Sequence, residues 1–585
     1  TALGANTTAD YNVAFGSNSL ADNTTGSDNC AFGATALISN TTGTNNVAVG
    51  RQALQANTTG ANNTAVGGGA LTSNTTASSN VALGRYAAGS NSTGDRNTAL
   101  GYATLYTNTI GDRNVAIGHR ALYTMNPSSN LDTMNVGVGY AALEATTTGV
   151  NNTGVGGFVM QSNTTGTDNV AIGEQALVSN TTGDNNTAIG ANALDNNTTA
   201  DNNTAIGFSA LDANTTGTAL VAVGYQALTA NTTASSNTSI GHAALAANTT
   251  GHSNNALGSS ALLSNTTGNY NDAFGKQTLE ANTTGGQNCA FGYRTLIDNT
   301  TANGNSAFGY ASLYVNTTGA NNTAVGNSSL QANTTGTYNV AVGAYALMAN
   351  TTASSNTAVG YNALKEVTTA TEVTAVGTQA GQNITTGNGN TVMGRKALYT
   401  ATTGYVNTAL GEGALYSLTT GYKSVAVGNQ AGYNITTAVQ SVAIGYQALF
   451  NCTTSHSNVA VGFYALVLAT GNNNTAVGEQ AGADVSSGAN NLLLGIDAGR
   501  SSSPSGSITT GDNNVVLGNN SIANLYCADT SISSSDARDK TDVEDFKYGL
   551  SWINELRPVT YRWDRRTWYG TEENPKGIPD GSKKR

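Results

Sequence analysis

The chain has few of the residues that enzymes and nucleic-acid binders rely on. Only 10% of its 585 residues are charged, and it holds 5 Pro, 4 Cys, 4 His and 3 Trp. With 23 Lys and Arg against 34 Asp and Glu, the net charge is -11. Phosphate-backbone binding draws its affinity from clustered basic side chains, so no nucleic-acid partner is expected. A disordered polar chain would carry more Pro, Lys and Glu and fewer aliphatics than the 39% hydrophobic content found here. The apolar residues are spread evenly, with no membrane-length run and no helix-length face. No membrane insertion is therefore expected, and the core should be thin, long and repetitive. No signal peptide opens the chain. Thr1-Ala2-Leu3-Gly4 already lies inside a repeat, so a preceding segment is expected.

Metal and redox chemistry are equally thin. Cys30, Cys289, Cys452 and Cys527 have no metal-ligand or redox spacing. Cys30 and Cys289 both stand in Asn-Cys-Ala-Phe-Gly and read as small core residues replacing the usual Thr or Val. His119, His242, His252 and His456 are scattered. Asp195 and Asp212 fall one repeat apart, a geometry able to chelate Ca²⁺ with nearby carbonyls, but the pair is not continued. No cofactor and no metal site are expected.

What is present is a repeat. The glycine that ends each Ala-(Val/Leu/Ile/Phe)-Gly step recurs every 17 residues, from Gly16 to Gly118 and again from Gly139 to Gly462. The unit reads G-x-x-A-L-x-x-N-T-T-G-x-x-N-(T/V)-A-(V/I/L)-G. It departs from register at a short first interval (Gly4 to Gly16), at four extra residues around Met125 to Thr133, at one deletion before Gly478, and at an excursion from Ser501 to Thr509.

Asn63-Thr64-Ala65-Val66 alternates with the period of a strand, placing Thr64 and Val66 on one face and Ala65 on the other. Gly67 permits a tight bend. Ala70-Leu71 reads as a second short strand, and Asn57-Thr58-Thr59-Gly60 as turn chemistry. Each unit is one rung of a parallel β-stack, too small to fold alone and stable only when stacked. The 31 such glycines from Gly4 to Gly518 imply a rod on the order of 150 Å. The constant Ala opposite Val implies close approach of another surface, with threefold packing of chains the simplest closed solution; the alternative is that Ala fits a narrow single-chain interior.

Steps such as Val47-Ala48-Val49-Gly50 and Thr187-Ala188-Ile189-Gly190 resemble the head repeats of trimeric autotransporter adhesins, which implies a parallel β-roll that trimerises. The Asn-Thr-Thr-Gly turn makes this unit longer than that family's usual repeat. Membrane-spanning strands of alternating polarity, with which such an autotransporter ends, are not found.

Composition changes after Ser535. From Asp536 to Arg585 there are 11 Lys/Arg and 10 Asp/Glu, together with Trp552, Trp563 and Trp568. Thr541 to Glu544 has capping-box spacing, Val543, Phe546, Leu550, Ile553 and Leu556 share a helical face, and Pro558 ends the helix. Val559, Tyr561 and Trp563 then alternate like a strand, the start of an α+β domain. Ser-Asp-Ala-Arg-Asp-Lys at 535–540, followed by Gly-Leu-Ser-Trp-Ile-Asn-Glu-Leu-Arg-Pro-Val-Thr-Tyr-Arg-Trp, resembles the opening of the intramolecular chaperone auto-processing domain of phage tail spikes and fibres. That resemblance implies a domain that trimerises the shaft, guides its folding and cuts itself away. It implies Ser535 as nucleophile on the bond before it and Lys540 as general base, with a lowered pKa and within hydrogen-bonding reach. The alternative is a linker serine and a solvated lysine. The chain stops at Gly581-Ser582-Lys583-Lys584-Arg585, partway through such a domain.

Tyr293 with Tyr310, Tyr106 with Tyr123 and Tyr399 with Tyr416 are expected to stack between rungs, as packing or as a platform for sugar faces. Asp95-Arg96-Asn97 and Asp112-Arg113-Asn114 should bring opposite charges together across a rung step. The Thr-Thr pairs sit in turns, which disfavours ice binding, and that turn position accounts for the repeated Asn-Thr-Thr sequon without glycans.

The expected fold is all-β: a parallel β-roll or β-solenoid shaft over residues 1–518, a linker over 519–534, and an α+β chaperone fragment over 535–585. The expected function is a homotrimeric phage tail-fibre or spike shaft that attaches to a host-surface glycan or protein receptor, located on the virion tail or an extracellular surface. It would act on no diffusible substrate. A bacterial surface adhesin is the alternative. A polysaccharide-degrading tailspike is a third, but the carboxylates are too sparse and out of register to nominate a pair.

Overall fold

A computed structural model describes residues 2–129, 132–524 and 526. Residues 535–585 lie outside it, including Ser535, Lys540 and the expected helix and strand of the tail. The described shaft is all-β and contains 30 strands of three residues, β1 (Val13–Phe15) to β30 (Val515–Leu517). Each pairs in parallel with the next, as Thr64, Ala65 and Val66 of β4 (Thr64–Val66) oppose Val81, Ala82 and Leu83 of β5 (Val81–Leu83). The insertion near Met125 and the deletion before Gly478 leave this register intact, since Val115 still opposes Val136 and Val459 opposes Thr475.

Rung-to-rung bonding extends beyond the strands. Thr58 N–H donates to Thr75 O at 2.8 Å, Leu71 N–H to Ala87 O at 3.0 Å, and Asn62 N–H to Thr44 O at 3.0 Å. Backbone groups on all sides of the rung thus find partners one turn away, as buried amides must. The bend glycine is obligatory. Gly33 sits at φ +140°, and a Cβ there would lie 2.5 Å from Gly50 O.

Two expectations are corrected. Ala70-Leu71 is no strand: Leu71 has φ +48° and is fully buried. A left-handed backbone costs a leucine about 1–2 kcal/mol, and burying its side chain contributes about 1.5–3 kcal/mol, so packing outweighs strain in every rung that repeats the motif. The strand faces are also inverted. Ala65 has no exposed surface, Thr64 is half-buried and Val66 is 36% exposed. Ala is constant because the interior, closed by the Leu row, is narrow. The strand's larger apolar residue points out.

The interior is one continuous cluster from Leu20 to Val516, and it is also lined with asparagine. The turn asparagines form one ladder: Asn57 Nδ2 donates to Asn40 Oδ1 at 2.7 Å and to Gly60 O at 3.0 Å. The asparagines before the strands form a second, in which Asn63 N–H donates to Asn46 Oδ1 at 3.0 Å and Asn63 Nδ2 to Ala77 O at 2.9 Å. Thr58 Oγ1 bonds Thr75 O at 3.0 Å. These bonds explain the Asn-Thr-Thr turn, and they occupy the buried amides that a glycan would need.

Candidate functional site

The shaft's chemistry is on its outside, where in-register stacking turns each repeat position into a column. The third strand residue forms an apolar column from Phe15 to Leu517, all Val, Ile, Leu, Phe or Met across 30 rungs. Phe15, at the array's start, is 72% exposed and Phe32, covered above and below, is 41% exposed. The stack neighbours therefore account for the covered fraction, and the outward side of the column is open. Phe274 and Phe291 stack within it at 4.4 Å, and Phe291 and Phe308 at 5.1 Å.

Past the bend glycine, the first and fifth residues make two further columns. On the first, Tyr102, His119 and Tyr140 stack at 5.3 and 5.1 Å, and Tyr293 and Tyr310 stack at 5.6 Å. On the fifth, Tyr106 and Tyr123 stack at 5.4 Å, Tyr399 and Tyr416 at 5.2 Å, and Tyr416 and Tyr433 at 4.8 Å. The expected tyrosine pairs are thus brought together. Grooves open between these columns beside Ala103 and beside Gly413.

At 95–97 and 112–114 the charges stack like on like, which corrects the expected opposite-charge ladder there. Asp95 lies over Asp112, whose Oδ1 accepts from the Asp95 N–H at 2.7 Å, and burial pushes the Asp112 carboxyl up. Arg113 pairs instead with Asp132, in the insertion. Burial likewise raises the carboxyls of Asp195 and Asp212, and the charge of Asp212 adds to the effect on Asp195. Among the described residues no three His, Cys, Asp or Glu converge as metal ligands. Cys30 and Cys289 are half-buried on the outward strand face and are not core residues; Cys452, in the turn-asparagine position, is the buried one. No described helix is long and apolar enough to cross a membrane.

A parallel β-solenoid that displays long side-chain columns fits a fibre shaft. Residues 535–583 match the family model described as chaperone of endosialidase, and that domain on a shaft of 17-residue rungs fits a virion-associated phage tail fibre with a C-terminal chaperone. No curated protein matches the chain.

Proposed function

We propose that the chain is the shaft of a homotrimeric phage tail fibre that carries host-attachment surfaces, with the segment from Ser535 acting as its trimerising chaperone. The observation that carries this reading is the outward apolar column. Thirty rungs at about 4.8 Å make it about 140 Å long, and with alternate strand positions about 7 Å apart it presents on the order of 1,000 Å². The largest apolar patch on a typical monomer is about 300–600 Å². Only a partner that runs the length of the shaft covers such a stripe, and an identical chain in parallel does so with the same residues. The chaperone match at the C-terminus supports the same assembly.

Maturation follows from the same reading. The Ser535 hydroxyl attacks the Ser534 carbonyl as Lys540 takes its proton, the peptide bond shifts to an ester, and water releases everything from Ser535 onward. Native and denaturing mass measurements on the full gene product test both parts. Three chains per particle, a shortened parent chain and an intact Ser535→Ala chain are expected. A monomeric particle removes the trimer, and a parent chain of full mass removes the cleavage.

A further inference from the structure

We infer that the two grooves between the first and fifth columns past the bend are saccharide-binding sites, each seating one sugar ring of a longer glycan. This rests on the host-attachment reading and gives it a place on the shaft. The groove beside Ala103, of about 250 Å³, is walled by Tyr102 on one side and by Tyr106 and Tyr123 on the other, with Tyr86 above and Arg120 below. The second, of about 170 Å³, lies 18 rungs on: Gly413 is its floor, with Lys396 above and Gln430 below it, Tyr416 and Tyr433 form one wall, and Arg395 and Glu412 form the other in place of Tyr102. Both are at or below the small end of the ~300–1,000 Å³ of ligand clefts, which suits a monosaccharide unit.

Three features point to a sugar. Tyr106 and Tyr123 are nearly parallel, at 12°, with centroids 5.4 Å apart. Carbon atoms in contact lie about 3.5–4.0 Å apart, so the rings are offset like shingles. Arg120 stands over the Tyr123 ring at 4.4 Å from its centroid and Tyr86 meets Tyr106 edge-on at 6.2 Å, so the face offered to the C–H side of a pyranose is the part of Tyr106 that its neighbours leave uncovered. The residue above Tyr106 in its column is Gly89, so no side chain from that position covers the ring. Beside the rings stands an arginine paired with a carboxylate, Arg120 with Glu144 at 2.8 Å and Arg395 with Glu412 in the second groove. Such a pair offers fixed donors and acceptors to neighbouring hydroxyls. The floor is also kept small, by Ala103 and Gly413, where a larger side chain would fill the groove. At Gly413 even a Cβ would lie 3.2 Å from Tyr433 Cε2, so the ring that walls the groove also fixes the small residue at its floor. Of the 12 Lys and Arg before residue 536, Arg120, Arg395 and Lys396 line these two grooves.

The test uses the assembled full-length fibre and an array of neutral and acidic oligosaccharides, with titration calorimetry on each hit. Binding to at least one oligosaccharide is expected, with affinity falling at least tenfold in Tyr106→Ala/Tyr416→Ala and unchanged in a control, Tyr338→Ala, on another part of the rung. An acidic hit should weaken further in Arg120→Gln/Lys396→Gln, and a neutral one should weaken mainly with Tyr. No binding to any oligosaccharide, or binding that persists in the tyrosine double variant, overturns the proposal. A trimer that binds no sugar loses only the grooves, whereas sugar binding by a monomer loses the trimer and keeps them.

Discussion

The shaft has two interiors on one backbone. Up to Asn350 the turn ladder is asparagine, broken only at Met125 and Thr146; from Val367 onward it is aliphatic, through Ile384, Ala401, Leu418 and Ile435 to Ile508, with Cys452 in the same row. Either filling works because every member meets its own kind. An amide needs amides above and below, and an aliphatic side chain needs contact. The difficulty falls at the junctions. Asn350 Oδ1 is buried without a partner, since Val367 has nothing to donate, and Thr146 Oγ1 is orphaned at the earlier break. At Asn108 the fault is repaired locally, because its Oδ1 accepts from the Gly111 N–H at 3.0 Å.

The largest expected effect comes from creating a junction where none exists. Asn231 Nδ2 donates to Asn214 Oδ1 and Ala234 O at 3.0 Å, and Asn231 Oδ1 accepts from Asn248 Nδ2 at 3.0 Å. Asn231→Val strips all three, and at about 1–3 kcal/mol per buried orphan the cost is about 3 kcal/mol or more. Asn350→Val instead moves an existing junction by one rung. It removes one orphan and makes another at Asn333, while Ala353 O keeps its bond from Asn339 Nδ2 at 2.8 Å. That change should stay within about 1 kcal/mol. Amide hydrogen exchange in the flanking rungs should accelerate about 100-fold for Asn231→Val and hardly for Asn350→Val. Equal effects at the two sites would mean that the ladder contributes little.

Within the aliphatic half, the comparison sharpens to a size exchange. Gly381 replaces the usual leucine, and Ile384 reaches into its space: a Cβ on Gly381 would lie 3.0 Å from Ile384 Cδ1 and 2.8 Å from Leu364 Cδ2. Gly432 and Ile435 repeat this, with Ile435 Cδ1 2.9 Å from the absent Cβ. One rung beyond Gly381 the bulk is reversed, as Leu398 with Ala401. Gly381→Leu alone should overpack by about 1–3 kcal/mol, and Ile384→Ala alone should leave a cavity worth about 2–5 kcal/mol. Together they reproduce the neighbouring rung, so the double variant should recover most of both losses, a coupling that a double-mutant cycle on local exchange measures. Additive losses would show that the two positions do not share one volume.

The period, the parallel stacking and the bend glycine were legible because each leaves a mark on sequence spacing. Which strand face is inside was not. Val and Ala alternate equally well either way, and the decision belongs to the narrowness of the core, set by Leu71 at a φ that leucine avoids. Local preference for a strand at Ala70-Leu71 is overridden by packing for the same reason. The stacked tyrosines were legible from their repeat positions, but the grooves were not, because they depend on how the bend angles two columns toward each other. Ser535 and Lys540 are nominated only by the motif around them, and their geometry lies outside the described residues.

The smallest effect contrasts two kinds of neighbour in the fifth column. Stacked rings, Tyr106 on Tyr123 in the asparagine half and Tyr416 on Tyr433 in the aliphatic half, gain from proximity, whereas Asp195 and Asp212 lose by it. Burial raises both carboxyls above their unfolded values, and the charge of Asp212 raises Asp195 further, so the folded shaft holds its protons more tightly than the unfolded chain. The stability they contribute is fully present below the ordinary carboxylate pKa and is lost as pH rises through the raised folded values. Above those raised values the rung pair is at its weakest. Asp195→Asn removes the repulsion, so protection factors for amides of residues 190–215 should exceed the parent's at pH 7 and converge with them at pH 3. A variant that is less protected at pH 7 would show that the pair is stabilised by a bound cation, reopening the metal reading that the pair's lack of continuation along the column had argued against.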